Sequence, residues 1–451
     1  MLARHCAEAG LVEKAALLWG KAGQRSVERS ALVEAVAQLT RALDQIATLP
    51  STPALRRDEI KLQVALITPL LYVKGYAAPE VKEAAERAHL LIERAEAMGE
   101  PLEDPLLLFS TLYFLWVPNL VAFKGDVIRE LAAQFLALAE KQGTTVPLMI
   151  GHRLMATSLL FTGDIAEGRR HYDQAIALYD PVEHRPLATR LGQDVGVAIL
   201  SFRALALWLL GYPEAALADL AQALKDAREI GQATTLMHAL LHTTMFVHIP
   251  RGSYASAKPA LEELIALADE KGAPFVKALA MLDRSWILSL TGKASEAIQM
   301  FTSWIGPYRS TGATIYMPLL LSLLARVNAE LGQFDDAWRY TGEAMMAIET
   351  TNERWFEAEA NRIAGEITLL SLDADAAKAE ACFERALMIA RKQQAKSWEL
   401  RAAMSMARLR RDQGKPQQAR ELLGPVYGWF TEGFDTRDLK EAKALLDALA
   451  V

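Results

Sequence analysis

Cysteine is nearly absent from these 451 residues: only Cys6 and Cys382 occur, near opposite ends of the chain. Two such distant thiols make no disulfide framework, and a reducing cytoplasm is the expected setting. An excess of one charge is missing too. Forty-nine Lys and Arg stand against 55 Asp and Glu, a net charge of −6, which excludes a general nucleic-acid surface. No run of about 18 uncharged apolar residues exists, so nothing is expected to span a membrane. The longest candidate, residues 195–210, contains Arg203 and reads as a buried helix. The opening MLARHCAEAG has neither the apolar core nor the cleavage signal of a secretory peptide.

Chemical motifs are also missing. Gly20-Lys21, Gly292-Lys293 and Gly414-Lys415 are followed by Ala or Pro where a phosphate loop needs Ser or Thr, and no upstream Gly has the required spacing. His238 and His242 could offer two ring nitrogens from one helical turn, but no third ligand has suitable spacing, so packing is the expected role. Cys6 beside His5 is an isolated pair without an orienting third group. No cofactor, metal or catalytic residue is expected.

What is present is a period. A hydrophobic content of 52% with 23% charged residues describes a folded chain. A turn motif starts at Gly163, Gly211, Gly252, Gly292, Gly332 and Gly414, with a small residue five positions later: Gly168, Ala216, Ala257, Ala297, Ala337 and Ala419. The spacings are 48, 41, 40 and 40 residues, then 82 across one gap. The missing turn falls at Ala374, where Ala379, Phe383 and Ala386 keep the phase. Fainter copies start at Gly125 and Gly10. The small residue lets two helices approach closely. Seam residues nine and twelve positions after the Gly, such as Tyr172 with Ala175 and Phe301 with Trp304, close the space behind.

A fixed period of this size predicts stacked helix pairs, because one pair cannot bury its apolar face alone. The fold class is therefore all-α: a tetratricopeptide-like helix-hairpin solenoid, a right-handed superhelix with about 40-residue repeats. Irregular helical repeats are expected over 1–50, divergent repeats over 51–145, the regular array over 146–435 and a polar-faced capping helix over 436–451. Residues 180–186 should form a loop lengthening one repeat, and Pro118 and Pro250 should kink or end their helices. The turn glycines require positive φ, so Val at Gly211, Gly292 or Gly332 should destabilise while Val at Lys293 should not.

In such arrays the first helix of each pair lines the concave side. Counting back about 10, 6 and 3 residues from each turn selects Arg153, Ser201, Trp208, His242, Phe246, Trp286, Ser322, Arg326, Arg401, Arg408 and Arg411 as groove positions. Trp and Arg in one trough suit partner recognition, and Arg can grip a carboxylate with two bonds. The expected ligand is a protein or peptide segment bearing acidic groups.

Several long strings are more specific than a repeat consensus. They are AEAGLVEKAALLWGKAGQRS with ALVEAVAQLTRAL, LYDPVEHRPLATRLGQDVGVA with ALWLLGYPEAAL, and then ERWFEAEANRIAGE, FERALMIARKQQAKSWELRAAMSMARL and WFTEGFDTRDLK. On these strings the chain resembles the C-terminal repeat region of bacterial signalling proteins. Those proteins join a class III adenylyl or guanylyl cyclase, or a winged-helix domain, to a signal-transduction ATPase. The resemblance implies a non-catalytic sensor or scaffold whose partners include its own upstream ATPase and cyclase domains, and a start downstream of a missing ATPase module. The sensor region of a winged-helix activator and an enzyme with an unrecognised groove site are the alternatives. Val195 stands where the resembled sequences carry Pro.

Overall fold

The computed structural model describes residues 2–450 except 77, 101–103, 249–251, 253 and 372; the side chains of residues 247, 248 and 256 also lie outside it. The expectation for Pro250 therefore falls outside the described residues. Every described element is helical, and all are α-helices apart from a π-helical turn at Thr244–His248.

The six turn glycines Gly163, Gly211, Gly252, Gly292, Gly332 and Gly414 all have positive φ, from 74° to 97°. At Gly211, Tyr212 N–H donates to the Leu207 carbonyl and Gly211 N–H to Trp208 O, which satisfies carbonyls that a helix end leaves unpaired. The small residues Ala216, Ala257, Ala297, Ala337, Ala379 and Ala419 are all fully buried against the neighbouring helix. The phase persists at Ala374 by other means. There the Asp375 carboxylate caps the helix Ala376–Lys392 by accepting from Lys378 N–H.

Two readings need correction. Gly125 is the first residue of the helix Gly125–Gln142 and not a turn; a Cβ there would meet Thr351 O at 2.8 Å, so close approach explains the glycine. Residues 180–186 do not form a plain loop: they hold the short helix Pro181–His184, and a second one, Leu187–Leu191, follows directly. The helix Leu106–Val121 continues almost one turn past Pro118.

Within a hairpin the two helices differ. The second is amphipathic: Pro213–Ile230 buries little more than Pro213, Ala216, Asp219, Leu220, Ala223 and Ala227. The first is buried on nearly every face. Val195–Leu209 leaves only Arg203 partly exposed, and Met317–Glu330 is covered from Met317 through Leu324. A helix apolar all round needs neighbours all round. They come from the next turn of the superhelix. The carbonyl of Val121, at a helix end, accepts from Thr314 N–H and Ile315 N–H at 2.9 and 3.0 Å. Phe161 O accepts from Arg354 and Trp355 N–H at 2.8 and 3.2 Å, and Trp208 O from the Ser397 hydroxyl, 189 residues on. Successive turns of the solenoid thus stitch to each other through the carbonyls at the ends of first helices. The concave side is largely filled.

Candidate functional site

The filling decides where each predicted groove residue lies. Trp208 packs edge-on against Trp398 at 4.9 Å between ring centroids, with the Arg401 guanidinium 5.4 and 5.1 Å from the two rings. Phe246 lies 1% exposed beside Phe202, His242 and Tyr316. Trp208, Trp398 and Phe246 border a void of only ≈ 10 Å³. Ser201 and Ser322 are buried and donate to carbonyls of their own helices, Val197 O and Pro318 O, so neither faces a groove. Arg411 points outward and pairs with Asp412.

Trp286, Arg326, Arg401 and Arg408 do come together. They line a cavity of ≈ 260 Å³ bordered by four first helices, Pro274–Leu290, Met317–Glu330, Glu357–Leu370 and Lys396–Asp412. The C-terminal helix Arg437–Ala448 closes one side through Arg437, Asp438 and Glu441. That helix buries Leu439, Ala442, Leu445 and Leu449 and leaves Lys440, Lys443 and Asp447 exposed.

Five guanidinium groups and five carboxylates line this cavity. Arg362 grips Glu359 with two bonds of 2.7 and 2.8 Å and also pairs with Glu366. Arg401 bridges Glu359 at 3.2 Å and Asp438 at 2.7 Å. Arg408 and Arg437 both pair with Glu441, at 3.1 and 2.7 Å. Burial alone would raise the Glu359 carboxyl, but the Arg362 and Arg401 charges outweigh it and hold it at about 2. Arg326 differs from the others. Its Nε lies 3.1 Å from Glu330 without hydrogen-bond alignment, which leaves a buried N–H unsatisfied at the cavity wall.

Sequence reasoning missed Glu359, Arg362, Glu366, Asp438 and Glu441. The groove count was anchored on turn glycines, and the repeat at Ala374 has none. The available signal was the string Glu359-Ala-Asn361-Arg362, polar residues set among Ala, Ile and Gly in the helix Glu357–Leu370.

Arg153 and His242 belong to a second, interior cavity of ≈ 80 Å³, walled by Tyr72, Tyr76, Tyr113, Phe202 and Phe275. His238 and His242 stack at 4.0 Å, and the His242 Nδ1 sits 2.7 Å from His238 O. Burial pushes His242 down to about 4 and His238 well below its usual value, so both rings stay neutral near pH 7.

No protein-family model matches the chain. An uncharacterised protein of Rhizobium meliloti strain 1021 is 25% identical over 363 residues, which cover 80% of this chain and 34% of that protein. The chain thus spans about a third of the length of that relative. Two solved structures share its fold. A Rap protein complexed with competence and sporulation factor superposes with a TM-score of 0.56 at 12% identity, over 87% of this chain and 99% of that one. The Rap conjugation gene regulator of plasmid pLS20, in complex with the Phr* peptide, gives 0.50 at 10% identity, over 90% and 100%. The chain is a tetratricopeptide-like helical solenoid.

Proposed function

We propose that this chain is the non-catalytic sensor region of a signal-transduction ATPase with a cyclase as its output domain. In this reading it holds a charged protein segment at the cavity formed by Trp286, Arg326, Arg362, Arg401 and Glu359. The observation that carries the reading is the convergence of four first helices and the C-terminal helix on that cavity. There the unsatisfied Nε–H of Arg326 stands beside Trp286 and Phe356, an arrangement that favours a carboxylate with an apolar neighbour. Three further points support it: the sequence resemblance, the match covering only 34% of the Rhizobium meliloti relative, and the competence and sporulation factor and Phr* peptide bound in the two Rap structures. The ion pairs already present mean that a ligand competes for them. Binding energy would then come from exchanging one carboxylate for another and from the aromatic floor.

The test uses Arg326→Glu together with Trp286→Ala. The double variant should lose binding to the separately produced ATPase and cyclase domains, measured by calorimetry, while circular dichroism stays helical. Binding as tight as that of the parent would overturn the assignment. Purified parent chain should turn over neither ATP nor GTP and form no cyclic nucleotide.

A further inference from the structure

Arg153 is 2% exposed, and among the described residues it has no carboxylate partner. Its only hydrogen bond is a long one, Nη1 to the Tyr113 hydroxyl at 3.4 Å, with the guanidinium 5.5 Å from the centre of that ring. Its Nε–H has no partner at all. An isolated buried cation carries a large desolvation penalty, and natural interiors keep one only where something else supplies the opposite charge.

The surroundings define what that something is. Arg153 projects from the helix Thr145–Phe161 into the interior cavity, where Thr234 and His238 enter from one face of the helix Ala233–Thr243. The His238 Nε2 is likewise buried without a partner, and the Thr234 hydroxyl, near that of Tyr72, makes no aligned hydrogen bond. Three unsatisfied polar atoms from two helices therefore line one space. Apart from Gln193, the rest of the wall is apolar or aromatic, with Phe275, Val276, Leu279, Phe202 and the edge-on rings of Tyr72 and Tyr76. The Tyr72 hydroxyl donates to Gly192 O and faces the hydroxyls of Tyr76 and Thr234. A volume of ≈ 80 Å³ exceeds the roughly 30 Å³ one water occupies in the liquid. It suits a molecule of a few heavy atoms.

We propose that this cavity binds a small monocarboxylate. The carboxylate takes the fork of Arg153 and the hydroxyl of Thr234, and the apolar end lies against Phe275, Val276 and Leu279. One guanidinium matches one carboxylate in charge and geometry, whereas a phosphate would bring a second charge into a wall that holds no second cation. The walls come from two superhelical turns: Tyr76 and Tyr113 from the first, Phe275 and Tyr316 from the next. A ligand here would fasten those turns together, so occupancy would report on closure of the solenoid. The site is separate from the ion-paired cavity and does not depend on the peptide reading.

The test measures thermal unfolding and calorimetric binding of the full chain with propionate and butyrate. Propionamide, butyramide and sodium chloride at matched ionic strength serve as references. The carboxylates should raise the melting temperature in a dose-dependent way, and the amides and chloride should not. Arg153→Met should abolish the response while keeping the helical spectrum, and His238→Leu should weaken affinity severalfold. Should Arg153→Met fail to fold, Arg153→Gln takes its place. No response to either carboxylate, an undiminished response in the Arg153 variants, or an equal response to chloride would overturn the proposal.

Discussion

Two buried carboxylates sit in opposite electrostatic settings. Glu353 is fully buried and has no ion-pair partner among the described residues. Its oxygens accept only from Tyr316 N–H at 2.9 Å and Trp355 Nε1 at 2.9 Å, and burial pushes it up to about 8. Glu359, six residues on, is held at about 2 by Arg362 and Arg401 despite its burial. Their effects on stability have opposite signs. Between about 4.5 and 8 the folded chain keeps a proton on Glu353 that the unfolded chain has lost, so that contribution is complete below 4.5 and disappears as pH rises toward 8. Glu359 is ionised when folded under conditions that protonate it when unfolded. Its contribution is complete above about 4.5 and disappears as pH falls toward 2. Asp283, buried with only Thr244 as partner, is also raised and adds to the alkaline loss. The melting temperature should therefore peak near pH 5 and decline by several degrees toward pH 9. Glu353→Gln, which keeps both accepted hydrogen bonds, should flatten the alkaline limb and leave the acid limb intact. Identical profiles for parent and variant would refute this account.

At the scale of the hairpin, the turn glycines separate into two kinds that one motif does not distinguish. Gly292 and Gly332 have φ of 80° and 74°, and a Cβ at either would meet nothing within 4 Å. Gly211 has φ of 92°, and a Cβ there would lie 2.6 Å from the Trp429 ring and 3.0 Å from Lys396 Cβ, both on the next superhelical turn. Ala at Gly292 or Gly332 should thus cost about 1 kcal/mol of backbone strain alone. Ala at Gly211 adds a steric conflict and should cost clearly more, while Lys293→Val, at φ −105°, should be nearly neutral. Equal melting temperatures for Gly211→Ala and Gly332→Ala would contradict the difference. The period itself was legible because each such turn forbids most side chains. A second left-handed series was not. It falls about midway between the first, at Gly231, Gly272 and Gly312, then continues at Asn352 and Gln394 with φ of 61° and 56° before Gly433. Two of its members are not glycine, since Asn and, at a higher cost, Gln can also adopt that conformation, so composition conceals the half-period.

For the molecule as a whole, the local repeat says which helix faces inward but not how tightly the superhelix coils. Coiling sums small rotations over many hairpins, and here it brings residues about 190 positions apart into contact. That is why Trp208 and Phe246 are core, while Trp286, Arg326, Arg401 and Arg408 line a cavity. The apolar circumference of first helices such as Val195–Leu209 was the legible warning, because an open groove would require a polar inner face. Closure also changes how the chain should unfold. Open arrays touch only neighbouring repeats, and long ones lose cooperativity. Here Val121 and Phe161 carbonyls hold Ile315 and Trp355 amides across turns, so parting those turns leaves buried groups unpaired at about 1–3 kcal/mol each. Urea unfolding should accordingly show one transition over most of the array, with the Ile315 and Trp355 amides exchanging only through global unfolding. Gly211→Val, which drives a branched side chain into Trp429, should split or broaden that transition. If the parent already unfolds in separate steps, with those two amides exchanging early, the superhelical turns are not coupled and the stitching by helix-end carbonyls contributes little.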